Sequence, residues 1–340
     1  MINRRAVILA VAGVLTAGLI GAGAMLALAF ERIEQTPLES ADPAVIEVPR
    51  GASFAAIASD LGERGLAVRP FWLRLYARWH GLAGRIQAGE YAIDAQTTPA
   101  ALIERMVAGD VIDYELTIIE GWRFEEMLAA IRAHPAVRQT LGPAPEPAAV
   151  MAAIDRPSTP AEGRFLPETY HFPRGTTDVD LLRRANRALE AALARAWAAR
   201  APDLPIESAD EALILASIIE KETGLAAERR RIAGVFSRRL ERGMRLQTDP
   251  TVIYGLGDAF DGDLRRIHLR TDTPYNTYTR HGLPPTPIAL PGVAAIEAAT
   301  HPADGESLYF VSRGDGSHVF SATLEAHNAA VRRYQLGEGG

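Results

Sequence analysis

The sequence predicts a mixed α+β protein with an N-terminal transmembrane helix, a small α+β subdomain and a larger mixed α+β domain. Three observations predict this order. A long uncharged segment opens the chain, short strand and helix patterns alternate over residues 44–112, and long amphipathic helix patterns with a β-hairpin occupy residues 160–335. Residues 113–159 are expected to connect the two folded parts, because the Pro- and Ala-rich run 141–150 interrupts the regular patterns.

The composition is that of a globular protein and excludes several kinds of site. Of 340 residues, 48% are apolar and 23% are charged, and a chain of this length is expected to form two or more folded units. The net charge of −6 and the scattered arginines give no basic surface for nucleic acid. The absence of cysteine excludes disulfides, thiolate nucleophiles and cysteine-bound zinc. No metal-ligand or nucleotide-binding motif occurs, so we expect neither a metal nor a cofactor.

Residues 6–30 are long and apolar enough to form a single transmembrane helix. They carry no charge, and about 25 helical residues rising about 1.5 Å each exceed the roughly 30 Å of a hydrocarbon core. Arg4 and Arg5 precede this segment, and no comparable basic cluster follows it. We therefore expect residues 1–5 to form a cytoplasmic tail, and the chain after residue 30 to lie on the opposite side of the membrane.

A cleaved signal peptide is the alternative for the same segment. Ala27-Leu28-Ala29 has the A-x-A form of a cleavage site, although the apolar run is longer than the roughly 7–15 residues of a signal peptide. Both alternatives export the remaining chain. Residues 31–43 are polar and are expected to form a linker.

The first folded part is expected to begin with a strand and a capped helix. Ile46 and Val48 alternate as a short strand, and Ser53 can cap a helix. The apolar positions of that helix are spaced for one buried face and are Phe54, Ile57, Ala58 and Leu61.

A second helix is expected from Pro70, with Phe71, Leu75 and Trp79 on its buried face. A strand near residues 91–93, a helix from Thr98-Pro99 to Gly109 and a strand within 112–119 should follow. This order loosely resembles the LysM-like modules that bind cell-wall glycan, and the subdomain 44–112 is interpreted as LysM-like. A plain α+β spacer stays open as the alternative.

The larger domain should contain three helices and a hairpin. The helices are predicted at 178–200, 208–223 and 226–243. Two β-rich runs at 308–311 and 318–320 flank a Gly-Asp-Gly turn, and a last helix should begin after Ser321 or Thr323.

The run ILASIIEKETG (214–224) contains the principal candidate for catalysis, Glu220. At about 100° per residue, Ala216, Ser217 and Thr223 share the face of Glu220, whereas Glu222 points nearly opposite. Glu222 is expected to bond a nearby arginine such as Arg229 or Arg230. Two interpretations stay open from geometry alone: a solvated helix end, or a carboxyl whose pKa is raised by an apolar wall so that it acts as an acid.

Two further segments carry candidate binding residues. In RLQTDPTVIYGLG (245–257), Asp249 followed by Pro250 is typical of a helix N-cap, whereas Gln247 and Thr248 could meet substrate hydroxyls. In the Pro-rich run 271–292, tyrosines could stack on sugar rings and polar neighbours could bond their substituents. These residues are Tyr275, Asn276, Thr277 and Tyr278.

The motifs ASIIEKETG, RLQTDPTVIYGLG, YNTYTRHGLPPTPIALPG and LYFVSRGDGSHVFSATLEAHN occur in this order. Together they resemble the endolytic murein transglycosylases of the YceG-like (MltG) family, strongly over residues 160–335 and more loosely over 45–160. The resemblance implies that Glu220 is catalytic. The family usually has Asn where Arg238 stands here. The expected substrate-binding set is Ser217, Gln247, Thr248, Asp249, Tyr254, Tyr275, Asn276, Thr277 and Tyr278.

The resemblance also implies a reaction, a partner and a location. The expected reaction cleaves the bond between N-acetylmuramic acid and N-acetylglucosamine within nascent peptidoglycan strands and leaves 1,6-anhydro ends, with Glu220 as acid and then base. Expected partners are glycan strands, the inner membrane and peptidoglycan synthases, with the catalytic domain in the periplasm. Two alternatives stay open: a muramidase that uses Glu220 and Asp249, and a non-catalytic peptidoglycan-binding scaffold.

Overall fold

The computed structural model describes residues 4–38, 44–66 and 69–336, and it has the expected mixed α+β architecture with a long apolar N-terminal helix. Its short strands form two-stranded sheets rather than one large sheet. The chain divides into two compact units. Unit 1 comprises Met1–Tyr114 with Phe172–Gly175, and unit 2 comprises Glu115–His171 with Thr176–Gly340.

The N-terminal helix α1 (Arg4–Gln35) is long and apolar enough to cross a membrane. None of the residues in its most apolar stretch is buried against the rest of the protein. The helix continues five residues into the predicted polar linker, which is therefore wrong over residues 31–35. The physical reason is that Ile33 and then Leu38 are buried in the core of unit 1, which stabilises the extension. The rest of the linker prediction, residues 39–43, lies outside the described residues.

In unit 1, two helices connect two strands that pair with each other. Its elements after α1 are β1 (Ala44–Val48), α2 (Phe54–Glu63), α3 (Pro70–Trp79), β2 (Gly89–Ile93) and α4 (Pro99–Ala108). β1 and β2 pair antiparallel, with Ala44 opposite Ile93. The predicted caps are confirmed: Ser53 and Thr98 accept bonds from backbone N–H groups, and Gly109 ends α4 in a left-handed conformation.

The predicted buried face of α3 is wrong. Phe71 and Trp79 are exposed and Leu75 is only half-buried, whereas Leu73, Tyr76 and Ala77 face the core. Both sets have helical spacing, so periodicity could not separate them. Leu73 and Tyr76 face the cluster that includes Ile33. The aromatic stripe of α3, formed by Phe71 and Trp79, is exposed.

Unit 2 is mainly helical. Its helices are α5 (Phe124–Ala133), α6 (Pro147–Ala153), α7 (Asp178–Ala198), α8 (Ala209–Glu222), α9 (Ala226–Glu241), α10 (Asp249–Leu256), α11 (Arg266–Arg270), α12 (Val293–Thr300) and α13 (Leu324–Tyr334). Strands β5 (Tyr309–Ser312) and β6 (His318–Ser321) also belong to unit 2. The other strands of the described chain are β3 (Asp113–Thr117) and β4 (Thr169–Pro173). β3 pairs with β4, and β5 with β6. The three long helices, the hairpin and the cap at Thr323 are thereby confirmed.

α8 lies at the centre of unit 2 and presents the candidate site at its C-terminal end. It packs against α7, α9, α10 and α12. Ala216, Ile218 and Ile219 are fully buried in the surrounding core, which also contains Ile288 from the Pro-rich run and Ile296 from α12. A helix that is apolar nearly all round is held rigidly on several sides. Its last turn is therefore a fixed platform for the charged residues that end it.

Candidate functional site

Glu220 lies in the last turn of α8, at the edge of an apolar wall. Ser208 caps the start of the helix through its side chain, and the residues just before Glu220 are fully buried. The Glu220 side chain is only 6% exposed. Its Oε2 accepts a hydrogen bond of 2.9 Å from the backbone N–H of Gly292, at the start of α12. The carboxyl group is thus sheltered and oriented by backbone, which favours the buried-acid interpretation over a solvated helix end.

The environment raises the pKa of Glu220 above its usual value. Burial is the main cause, and the negative charge of Glu120 adds to it. The Gly292 N–H, Arg229 and Lys221 act in the opposite direction, with Arg229 Nη2 at 3.9 Å from Oε1. Because burial wins, Glu220 holds a proton more tightly than an ordinary carboxyl group. A sheltered group of this kind can act as a general acid.

Glu120 is a site residue that the sequence patterns did not reveal. A Cβ on residue 292 would overlap Oε1 of Glu120, so this carboxylate packs directly on Gly292. The loop that carries it is pinned by reciprocal backbone bonds, Gly121 N–H to Leu290 O at 2.9 Å and Leu290 N–H to Trp122 O at 2.7 Å. The helical spacing around Glu220 can identify only neighbours on α8, whereas Glu120 lies 100 residues earlier in the chain.

Glu222 is a second partly buried carboxyl at the end of α8, and its predicted partner is wrong. It accepts a hydrogen bond from the Thr248 hydroxyl rather than from Arg229 or Arg230, because Arg229 turns to Glu220. Burial, together with the nearby charge of Asp249, raises its pKa to about 7, although the Thr248 bond acts against this. Glu222 therefore ties α8 to the start of α10.

Asp249 is not the N-cap that the Asp-Pro pair predicted. Thr248 occupies the cap position, and Asp249 is the first residue of α10 with Pro250 following it. The exposed Asp249 instead accepts a hydrogen bond of 2.5 Å from the Tyr278 hydroxyl through Oδ1. The carboxylate is therefore free of a capping role and stands at the surface beside Glu222.

Gln247 has a backbone conformation that is uncommon for a residue with a side chain. Its φ is +47°, in the left-handed region, and its side chain is exposed. Its N–H bonds the Thr277 carbonyl at 3.2 Å, which holds the connection against the Pro-rich run. Such a strained position persists only where its surroundings fix it, and it aims an amide side chain outward.

Four other predicted binding residues are buried, and most of their polar side-chain atoms are bonded inside the protein. Ser217 donates to Ile214 O and accepts from Ile288 N–H. The amide nitrogen of Asn276 donates to three backbone carbonyls, at His268, Leu269 and Thr271. Thr248 and Thr277 join the two loops through their hydroxyl and backbone groups. The structure gives all four a positioning role, and direct contact with glycan stays a prediction.

An aromatic cluster lies beside these loops and includes a third buried carboxyl. Tyr254 and Tyr275 pack edge to face with ring centroids 4.8 Å apart, and Arg123 stands over the Tyr254 ring at 5.2 Å. Glu162 accepts from the Phe124 N–H at 3.0 Å. Burial raises the pKa of Glu162 to about 7 despite that bond and its contact with Tyr254. Glu162 was not among the residues that the sequence singled out, because no local pattern marks it.

The chemistry open to this site depends on which side chains are sheltered and which are exposed. Among residues 4–38, 44–66 and 69–336, no group of three His, Asp or Glu side chains could hold a metal ion. Glu220 combines shelter, a raised pKa and backbone orientation. The exposed Gln247 and Asp249 and the half-buried Tyr278 offer polar groups for a ligand.

Comparison with known proteins adds independent information. The sequence model of the YceG-like family matches residues 46–333. An endolytic murein transglycosylase of Bacillus subtilis (strain 168) is 31% identical over 318 residues, which cover 89% of this chain and 88% of the relative. An endolytic murein transglycosylase of Streptococcus pneumoniae serotype 2 is 24% identical over 323 residues, covering 85% of this chain and 58% of the longer relative. The crystal structure of a YceG-like protein from Listeria monocytogenes aligns with a TM-score of 0.53 and 28% identity, over 86% of this chain and 100% of that one.

Proposed function

We propose that this chain, which belongs to the YceG-like family, is a membrane-anchored enzyme that cleaves peptidoglycan strands internally by transglycosylation. The name of the Bacillus relative supports the activity. The observation that carries the proposal is the state of Glu220, a carboxyl that is 6% exposed, has a raised pKa and is bonded to the Gly292 N–H.

In the first step, protonated Glu220 gives its proton to the glycosidic oxygen between N-acetylmuramic acid and N-acetylglucosamine. The bond from this oxygen to C1 of the muramic acid breaks, and an oxocarbenium-like centre develops at C1. The N-acetylglucosamine part leaves with a neutral hydroxyl. A group with a raised pKa suits this step because it is still protonated where an ordinary carboxyl is not.

In the second step, the Glu220 carboxylate takes the proton from the C6 hydroxyl of the same muramic acid. The C6 oxygen then bonds to C1 and closes the 1,6-anhydro ring. Glu220 is protonated again, and no water is consumed. Because the nucleophile belongs to the substrate, its effective concentration is high.

Neighbouring residues have separate roles in the proposed reaction. The Glu120 carboxylate raises the pKa of Glu220 and is placed to stabilise positive charge at C1. The exposed Gln247 and Asp249 and the ring of Tyr278 bind sugar substituents. The buried set Ser217, Thr248, Asn276 and Thr277 keeps the two loops in register.

The proposed location of this site is the cell envelope. α1 anchors the protein in the inner membrane with residues 1–5 in the cytoplasm and the catalytic domain in the periplasm, which the paired arginines before the apolar run support. Residues 44–112 form a LysM-like module, which the order β1-α2-α3-β2 and its antiparallel strand pair support. Nascent glycan strands, and the synthases that make them, are the proposed partners.

Product analysis tests the reaction. Purified glycan strands incubated with the full chain in H₂¹⁸O should yield internal cuts whose new muramyl ends are all 1,6-anhydro and contain no ¹⁸O. Reducing muramyl ends that carry ¹⁸O would show a hydrolase instead. The absence of any cut, with binding retained, would indicate the non-catalytic scaffold.

A two-carboxylate muramidase is the second candidate, because a second carboxylate does stand beside the acid. The sequence suggested Asp249 as this second carboxylate, but Asp249 lies beside Glu222, and the charge that acts on the pKa of Glu220 is that of Glu120. This candidate would therefore use Glu120. A hydrolase of this kind would use its second carboxylate to activate water or to hold the sugar covalently. The ¹⁸O result separates it from the transglycosylase.

A further inference from the structure

A groove of about 740 Å³ runs along α1 within unit 1. One wall is α1 and the segment that follows it, from Gly21 to Leu38. The opposite wall contains Leu66, Trp72 and Pro99. Its volume is within the roughly 300–1,000 Å³ of sites that bind small molecules.

The groove changes chemical character along its length. At the end of the groove nearer the N-terminus of α1, the α1 wall is apolar and consists of Gly21, Ala24, Met25 and Leu28. Towards the other end it is lined by Arg32, and Arg69 contributes from the start of α3. Among the described residues, neither guanidinium takes part in a hydrogen bond or ion pair. A ligand that fits this gradient has an apolar chain and an anionic head.

The position of the groove identifies the surroundings that supply such a ligand. The apolar run 6–30 is about 37 Å long at about 1.5 Å per residue, which exceeds the roughly 30 Å hydrocarbon core. If α1 crosses the bilayer, residues 21–28 lie in one leaflet and Arg32 lies at the level of its headgroups. The groove therefore opens where phospholipids stand.

The aromatic stripe of α3 provides independent support. Phe71 is 60% exposed and Trp79 is 70% exposed, so both rings can be reached from outside the unit. The Trp79 ring lies 6.4 Å from the ring of Phe30, the last residue of the apolar run. Tryptophan is enriched where the hydrocarbon core meets the headgroups. Both exposed rings are thus placed to meet lipid.

We propose that this groove binds one phospholipid of the membrane that α1 crosses, with the phosphate between Arg32 and Arg69 and an acyl chain against Gly21, Ala24 and Leu28. The bound lipid fixes unit 1 against the bilayer surface, with Phe71 and Trp79 among the headgroups. This inference goes beyond the reaction and rests only on the proposal that α1 spans the membrane.

Native mass spectrometry of the full chain tests the proposal with dioleoyl phosphatidylglycerol as the added lipid. The protein, delipidated in detergent, should bind one lipid per chain at low lipid concentration. Binding should weaken at least tenfold in R32A/R69A, which removes both cations, and in A24W, which fills the groove. The matched control R50A/R85A removes two exposed arginines of the same unit that do not line the groove, and it should bind as the unaltered protein does.

Three results would overturn the proposal. Equal binding by all four proteins would show a nonspecific lipid shell, and absence of bound lipid would show an empty groove. A mass of two chains without lipid would make a second copy the occupant. Because the chain has no cysteine, single cysteines at Asn3 and Thr36 can be labelled from each side of a vesicle, which tests separately whether α1 spans the membrane.

Discussion

The carboxyl of Glu220 and the backbone N–H of Gly292 form a hydrogen bond of 2.9 Å that joins the end of α8 to the start of α12. A hydrogen bond from a fixed N–H orients the carboxyl without neutralising it, and burial still raises its pKa. Because residue 292 is glycine, the Glu120 carboxylate can occupy the space that a Cβ atom would otherwise fill. One backbone position therefore organises two acidic side chains that are 100 residues apart in sequence.

The first prediction concerns that glycine. G292A should lower turnover at least tenfold while the protein stays folded, because the new methyl group must push the exposed Glu120 side chain away from Glu220. V293A, at the exposed next position, should have little effect. In an E120A background, G292A should cost nothing more. If the two losses simply add, Glu120 is not the group that the methyl displaces.

The second prediction concerns Glu162, whose pKa is raised to about 7 in the folded protein. Between its ordinary value of about 4.5 and about 7, the folded state binds a proton that the unfolded state has lost. The free energy of unfolding should therefore fall as pH rises through this window. Comparing denaturation of the unaltered protein and of E162Q at pH 4.5 and 7.5 measures it, because the variant lacks the titration.

E168Q provides the control, since Glu168 is an exposed carboxyl in the same loop. It should follow the unaltered protein across the window. A pH dependence that E162Q retains in full would show that another group causes it.

The sequence predicted those features that depend on neighbouring residues. The caps at Ser53 and Thr98 and the helix end at Gly109 are local, and all three occur as expected. Of the two starts predicted for the last helix, after Ser321 or after Thr323, the structure has the second. The Asp-Pro pair failed by one position, because the Thr248 backbone is held by Thr277 from another loop and becomes the cap residue. Tertiary contact thus moved a boundary that local rules placed.

The features that sequence could not predict depend on distant segments. α3 has two apolar stripes with the same helical spacing, and only the packing of Leu73 and Tyr76 in the core decides which is buried. Glu120 and Glu162 carry no periodicity or motif signal, because their importance comes from loops that meet the end of α8 or the tyrosines. Helix geometry grouped Glu220 with Ala216, Ser217 and Thr223 on one face, but it left open whether that face is sheltered, and it could not supply these partners.

The third prediction concerns Asp249. Because it is exposed and caps no helix, D249N should change the free energy of unfolding by no more than about 0.5 kcal/mol. Turnover should fall at least tenfold, because the exposed carboxylate, which accepts a hydrogen bond from the Tyr278 hydroxyl, is proposed to bind sugar substituents. Urea denaturation and glycan cleavage measure the two effects. A loss of about 1–2 kcal/mol with unchanged turnover would restore a structural role.

The fourth prediction concerns α1. If it is an uncleaved anchor, the mass of the native protein extracted in detergent should include residues 1–30. A mature start at Phe30, after the A-x-A sequence, would show a cleaved signal peptide instead. In inverted membrane vesicles, a cysteine introduced at Asn3 should react with an impermeant maleimide and one at Thr36 should not. The opposite labelling would reverse the proposed orientation.

The most direct test of the account is the cleavage rate of E220Q on glycan strands. Glutamine keeps the size of the side chain and an oxygen that can accept from Gly292 N–H, but it has no proton to give. General acid–base catalysis supplies about 10²–10⁴-fold, so the rate should fall at least 100-fold with an unchanged fold. E222Q is the matched control two residues further on, where the amide oxygen can still accept from Thr248, and its rate should fall no more than severalfold. Undiminished cleavage by E220Q, or a larger loss in E222Q than in E220Q, would contradict the assignment of Glu220 as the catalytic acid.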